Sequence, residues 1–508
     1  MSKVIRGWLL FCVVLSCMRS NAQVEVVGQK RFEHDGNVAT SVTPNNKVIT
    51  YSIITEKGED NQIEIVAYSE QLEEEGRFQA TCTEKNIFRT HALSGSGEYY
   101  FSLTIDKRRE IHSIVFNTNN FEVTELYVDL EKKFEPNGNL DFLGGFSTAC
   151  FKNKFFILGT VKNVPCILVY NMLTGTQHIT FIPGMGKKNR VSFLGTDDAA
   201  PSLQIMFFNY KSNKVDAQYI ASIDEFGEVQ GAPVSIMAQK EKLLIDGSVT
   251  WLDEHTSLIC GATGDNATLA KGMYILEMKD GEVVRRSDFD FNDFKDFYAQ
   301  FNEKFQRRME RRKSRNKNFE SYCYMVTHPI AFNENSWTIL GEVFFPTYRT
   351  EFRTTYVNGK PVSQTVYVFD GFQYTNAVIL QVSQELEKIK DYTFKLNIAD
   401  KPFYPKKYIR TVQLGSKLNF YYADIFKFGH VSLENGGLEE SSMVDIVDSQ
   451  KDLKESEKVT NRISSNVDYW YDDFYLITET FEVKDRDESV GNKRKEFVQF
   501  KKIKIVNE

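Results

Sequence analysis

Between polar turns, this chain returns repeatedly to runs of about five apolar residues, and the runs align with one another. "NKFFILGT" at 153–160, "HTSLICGA" at 255–262 and "NSWTILGE" at 335–342 match without gaps: a polar turn, five mostly apolar positions, and a glycine six residues after the turn residue. Weaker copies are "NKVITYSI" from Asn46, "GEYYFSLT" from Gly97, "PSLQIMFF" from Pro201, "SKLNFYYA" from Ser416 and "DDFYLITE" from Asp472. Most spacings between copies are 48 to 56 residues, and two are about 80, one unit plus an insertion of roughly 27. Residues 147–182 show the order inside a unit: "STACF", "KFFILGTV", "PCILVYN" and "TQHITFI", separated by turns. Turn sequences such as "NTNN" at 117–120, "DEFG" at 224–227 and "KDG" at 279–281 supply the Asn, Asp and Gly that hairpins demand. The pattern predicts four short antiparallel strands per unit.

Four-stranded units at this period predict an all-β fold, a β-propeller, with eight blades and seven as the alternative. The last unit offers only three strands, "VDYWY", "DFYLITETFEV" and "KEFVQFKKIKIV". "VEVVGQKRF", from Val24, is a spare strand that would close the ring and remove exposed edges. Residues 23–508 are thus expected to form one domain. The repeat resembles the propeller superfamily over nearly all of that length, without a Trp-Asp signature, a kelch glycine pair or a sialidase Asp-box.

Two insertions interrupt the period. The first, about 288–319, reads as one amphipathic helix. Phe294, Phe297, Tyr298, Phe301, Phe305 and Met309 recur at helical spacing. Asp288, Asp290, Asp293 and Asp296 stand at its start, and Arg307, Arg308, Arg311 and Arg312 at its end, both favourable to the helix dipole. The second, 346–376, reads as a long hairpin around Asn358-Gly359 with aromatic arms: Tyr348, Phe352, Tyr356, Tyr367 and Phe369, with Arg349 and Arg353 adding charge. A structural reading makes both insertions covers over neighbouring units. A functional reading makes Phe294, Phe297, Phe301, Phe305, the four arginines, Tyr348, Arg349, Phe352, Arg353 and Tyr356 a partner-binding surface. The acidic stretch 433–466 reads as a polar connector.

Charge and cysteines narrow the picture. Lys3 and Arg6 precede an apolar run, Trp8 to Met18, too short to span a bilayer. Ser20-Asn21-Ala22 then predicts a signal peptide over 1–22. The ending "SNAQ" resembles exported proteins of Bacteroidota, which implies the periplasm or the periplasmic face of the outer membrane. The alternatives are the cell surface, or a lipoprotein anchored through Cys17 of "VLSC". The formal net charge is −7, which argues against nucleic acid as a partner of the whole surface. Cys82, Cys150, Cys166, Cys260 and Cys323 show no CxxC spacing, so a metal cage is not expected and buried strand positions are.

Motifs that would carry chemistry are incomplete. "DFDFND" at 288–293 has Asp293 where a calcium loop needs glycine, and Ala299 where it needs glutamate. "LSGSGEY" at 93–99 does not match a nucleophile elbow, and the seven histidines never form HxH or HExxH. No catalytic residue, metal or cofactor is therefore expected. The expected role is a non-catalytic interaction subunit docking on a cell-envelope, outer-membrane protein complex, without direct membrane insertion. In general character this resembles the plug-like subunits of outer-membrane translocons such as the type nine secretion system. The alternatives are a carbohydrate-active or other hydrolytic propeller, which would gather Asp, Glu, His or Arg from three blades at one axial mouth, and a glycan or small-ligand binder.

Overall fold

The computed structural model describes residues 23–506 except for 35–37, 55–60, 83–85, 137–147, 186–189, 196–198, 212–213, 237–241, 267, 296, 298–302, 316–320, 334, 358–359, 397, 425–426, 435, 441–443, 447–456 and 486–493. The leader expected over 1–22 lies outside these residues. Eight antiparallel sheets follow one another along the chain, and their second strands are Val48–Ile54, Tyr99–Asp106, Lys154–Val161, Leu203–Lys211, Thr256–Gly264, Ser336–Val357, Lys417–Asp424 and Phe474–Asp485. Each aligned apolar run of the sequence is thus the second strand of a sheet.

The second and third strands are buried on both faces. Tyr100–Ile105, Ile111–Phe116 and all of Thr256–Gly264 are inaccessible, whereas the outermost strands, such as Glu74–Cys82 and Val123–Asp129, alternate exposed and covered. A sheet of this kind needs a neighbour on each side. Eight apolar clusters supply them. Ile49, Tyr51 and Ile65 of the first sheet meet Tyr100, Ile114 and Phe116 of the second, and the same pattern joins second to third, third to fourth, and onward. Trp470, Leu476 and Phe500 of the eighth sheet then pack on Val48, Val66 and Tyr68 of the first, closing the order into a ring. This is a β-propeller. The strand Gln23–Glu33 pairs with Arg494–Val506, so the outermost strand of the eighth sheet comes from the beginning of the chain.

Polar bonds cross the same interfaces. Ser113 Oγ meets Tyr170 Oη at 2.8 Å, Gln204 Nε2 donates to Ser257 Oγ at 3.2 Å, and Arg410 Nε donates to Asp468 Oδ1 at 2.9 Å. The indole of Trp470 donates to the Asn46 carbonyl at 2.8 Å across the closing interface.

Two expectations are corrected. The segment 288–319 is not one helix. Asp288 and Asp290 belong to the strand Glu282–Asp290, Phe291–Asp293 is a single 3-10 turn whose Asn292 amide donates to Asp290 Oδ1, and Phe294 is extended (φ −84°, ψ 131°). The α-helix covers Glu303–Arg315. Burial decides this: Phe291, Phe294 and Phe297 plug the cluster between the fifth and sixth sheets, with Phe291 stacked on Phe297 at 4.4 Å, and a continuous helix would withdraw them. The stretch 433–466 is not a plain connector either. Its ends are strands, through Glu434, over Gly437–Glu440 and from Glu457 to Tyr471, the last pairing with Phe474–Asp485. Among the described residues Cys82, Cys166, Cys260 and Cys323 are buried and Cys150 is half-buried.

Burial holds the imidazole of His430 at a pKa of about 4, where it stacks on Tyr421 and meets Asn419 Oδ1 at 2.9 Å. Burial lowers that of His328 as well. A histidine near 6.5 in the unfolded chain takes its proton there first, so the stability these groups contribute is present above pH ~6.5 and is lost as pH falls toward 4. In urea titrations across this window His430→Gln should flatten the fall by about 1–3 kcal/mol. An unchanged slope would contradict the buried neutral state.

Candidate functional site

Strands of a sheet alternate direction, so the connection from one sheet to the next and the turn between a sheet's second and third strands lie on one face of the ring. Three departures from the repeat therefore share that face: the segment 291–323, the hairpin of the sixth sheet, and the connection 396–409 into the seventh.

The hairpin is a ribbon. Ser336–Val357 and Lys360–Val382 are paired throughout, but the flanking strands reach only Phe344 and Asn376. From Tyr348↔Phe369 to Val357↔Lys360 the two arms pair with each other alone, over ten residue pairs or roughly 33 Å. Asn358 and Gly359 lie outside the described residues; the register leaves these two residues between the arms.

Alternation gives the ribbon two unlike faces. On one, Glu351 accepts from Arg349 at 2.9 Å and sits 3.3 Å from Arg353, while Asp370 holds Lys401 at 3.0 Å; the hydrogen bond from Arg349 keeps the Glu351 carboxyl below its ordinary pKa. That face satisfies its own charges. The other carries Tyr348, Phe352 and Tyr367, which are 60%, 81% and 75% exposed. At its root Tyr348 meets Phe369, and Phe369 meets Phe403 at 5.8 Å, so the strip continues onto exposed Phe403 and Tyr404. The root is fixed: the Phe372 amide donates to the Pro402 carbonyl at 2.9 Å, and Tyr374 Oη donates to the Lys406 carbonyl at 2.6 Å.

The expected surface is only partly assembled. Tyr348, Arg349, Phe352 and Arg353 lie together on the ribbon, with Tyr356 further along the same arm. Arg307, Arg308, Arg311 and Arg312 lie together on the exposed side of the helix. Phe294 and Phe297 do not join them. They are 6% and 2% exposed, packed in the core with Lys388 over the Phe294 ring, so they cannot meet a partner. Phe305 is in the helix, and Phe301 and Tyr298 are outside the described residues. Sequence reading missed Phe403 and Tyr404; the signal was an aromatic pair between prolines, "PFYP", immediately after the ribbon's unit.

It also missed a polar cluster spanning three successive sheets: Asp246 of the fifth, His328 and, on the second strand, Glu342 of the sixth, and Lys407 leading into the seventh. Asp246 accepts from the Ala262 amide at 2.8 Å and from the Thr327 amide and hydroxyl at 3.2 and 3.0 Å. Glu342 accepts from His328 Nε2 at 2.7 Å and from the amides of Tyr408 and Ile409 at 2.9 and 3.0 Å. Burial pushes the Asp246 carboxyl up and the Lys407 ammonium down. Most of these donors come from the next sheet, so both acids clamp neighbouring sheets to one another. Among the described residues no group of three or more His, Cys, Asp or Glu is arranged to hold a metal, and no helix is long and apolar enough to cross a membrane.

No protein-family profile matches this chain, and no curated protein matches it. Solved structures do. The dihydro-heme d1 dehydrogenase NirN aligns over 94% of this chain and 80% of its own at 11% identity and a TM-score of 0.44. The BP39L lectin from Burkholderia pseudomallei covers 81% and 100% at 7% identity and 0.36. A DUF4221 family member from Bacteroides vulgatus covers 96% and 100% at 10% identity and 0.29. At such distances these likenesses assign no activity.

Because Phe297 fills the core and Phe352 faces solvent, their substitutions should separate cleanly. Phe297→Ala should cost about 3–5 kcal/mol in denaturant unfolding, and Phe352→Ser no more than about 0.5. A large loss at Phe352 would mean that something in the folded chain covers it.

Proposed function

We propose that this chain is a non-catalytic, exported interaction subunit of the cell envelope, which docks on a protein partner in an outer-membrane complex through the sixth-sheet ribbon. One observation carries the reading: the bare aromatic strip from Phe352 through Tyr348 to Phe403 on a ribbon standing clear of the ring. A row of exposed aromatics is the composition of an interface centre, not of an ordinary surface. The opposite face, with its charges internally paired, is suited to remain in water. The ribbon's unpaired strand edges add backbone donors and acceptors that a partner strand could extend. Export rests on the leader pattern before Gln23.

The test isolates tagged protein from detergent-solubilised envelopes, comparing the intact chain with Tyr348→Ser/Phe352→Ser/Tyr367→Ser. Point variants are preferable to deleting 288–317, since that deletion removes Phe291, Phe294 and Phe297 from the core. The intact chain should retain stoichiometric envelope proteins, and the variant, equally exported and equally stable, should lose them. Equal retention by both forms, or retention by neither, overturns the docking role of the ribbon.

A further inference from the structure

The helix Glu303–Arg315 presents a different chemistry from the ribbon. Lys304, Arg307, Arg308, Arg311, Arg312 and Arg315 are exposed, and at 3.6 residues per turn they fall within an arc of about 140° over roughly 17 Å. Only Arg307 has an ion pair, with Glu303 at 2.9 Å; the other five have no described carboxylate within 4.0 Å. Four like-charge pairs stand four residues apart, Lys304 with Arg308, Arg307 with Arg311, Arg308 with Arg312 and Arg311 with Arg315, each unfavourable to the helix. Met309, on the other side, is buried. Among the described residues the Glu303–Arg307 pair alone offsets this concentration of charge, although the chain as a whole is acidic.

We propose that this face is a binding site for a ligand carrying several phosphate groups. Charge density selects the chemistry. Six cations over that length are about one per 3 Å, whereas an extended acidic peptide turns a carboxylate to one side only every ~6.6 Å. A phosphate group carries −1.5 to −2 charges and three acceptor oxygens, so adjacent guanidinium forks can share one group bidentately. Five of the six cations are arginine. The ligand is a free polyphosphate anion or the phosphate headgroup of an anionic lipid. In the second case the guanidinium groups meet the headgroup phosphates. The site goes beyond the docking reading and stands without it.

The experiment uses the full chain. Calorimetric titration with sodium tripolyphosphate reads the free anion, and co-sedimentation with phosphatidylcholine vesicles, with and without phosphatidic acid, reads the headgroup. Binding should weaken more than ~tenfold in Arg308→Gln/Arg311→Gln/Arg312→Gln/Arg315→Gln, while the melting curve of the ring stays unchanged. If that variant melts early, Arg308→Gln/Arg311→Gln carries the comparison. Tripolyphosphate binding that is lost in the variant supports the free-anion source, and vesicle binding alone, lost likewise, supports the headgroup source. No binding in either arm, equal binding by wild type and variant, or tighter binding of poly-glutamate than of tripolyphosphate overturns the proposal.

Discussion

A sheet whose two middle strands are apolar on both faces cannot stand alone in water. Each such sheet here must be covered twice, and a row of them is satisfied only when its ends meet. The cluster of Trp470, Leu476 and Phe500 with Val48, Val66 and Tyr68 is where they meet. Burial at about 25 cal/mol per Å2 drives this closure but has no preferred direction. Orientation comes from the polar bonds between sheets. Asp246 reaching Thr327, and Glu342 reaching Tyr408 and Ile409, fix how the fifth, sixth and seventh sheets are set against one another. An unpaired carboxylate in those places would be costly, so the clamps allow few alternatives to the native arrangement.

With the ring held in this way, the segments that interrupt its repeat are free to differ from it. The ribbon is anchored at its root by Phe369, Phe372 and Tyr374 and pairs with no other strand beyond Tyr348, and a plug of three phenylalanines precedes the helix in the chain. Both leave the same face, because chain reversal at every strand returns the path there. Their adjacency is therefore a consequence of antiparallel topology and needs no contact between them.

Much of this was legible along the chain, for a physical reason. Apolar runs on both middle strands of every unit repeat with the period of the unit, so the copies from Asn46 to Asp472 mark all eight second strands. The hairpin was legible from Asn358-Gly359 between alternating arms. The plug was not. Phenylalanines at 291, 294 and 297 suit a helical stripe, and they equally suit an irregular segment pressed between two sheets. Only the neighbouring cluster of Met273, Ile275, Val378 and Leu380 decides between these. The inter-sheet clamps were invisible for a related reason. Asp246, Glu342 and Tyr408 are separated by scores of residues, and no local pattern marks an acid whose donors come from the next sheet.

The two projections make opposite demands on whatever meets them. A two-stranded ribbon is marginal in water, and its aromatic face loses favourable burial for as long as it is bare. Covering it is favoured by area and is insensitive to salt. The helix loses nothing by contact with water, but its cations repel one another, and only counter-charge relieves them, with an effect that falls as ionic strength rises. A single surface would have to be at once apolar and strongly anionic to satisfy both. Two separate contacts, one apolar and one phosphate-rich, satisfy each on its own terms, and a propeller carrying both on one face can hold them side by side.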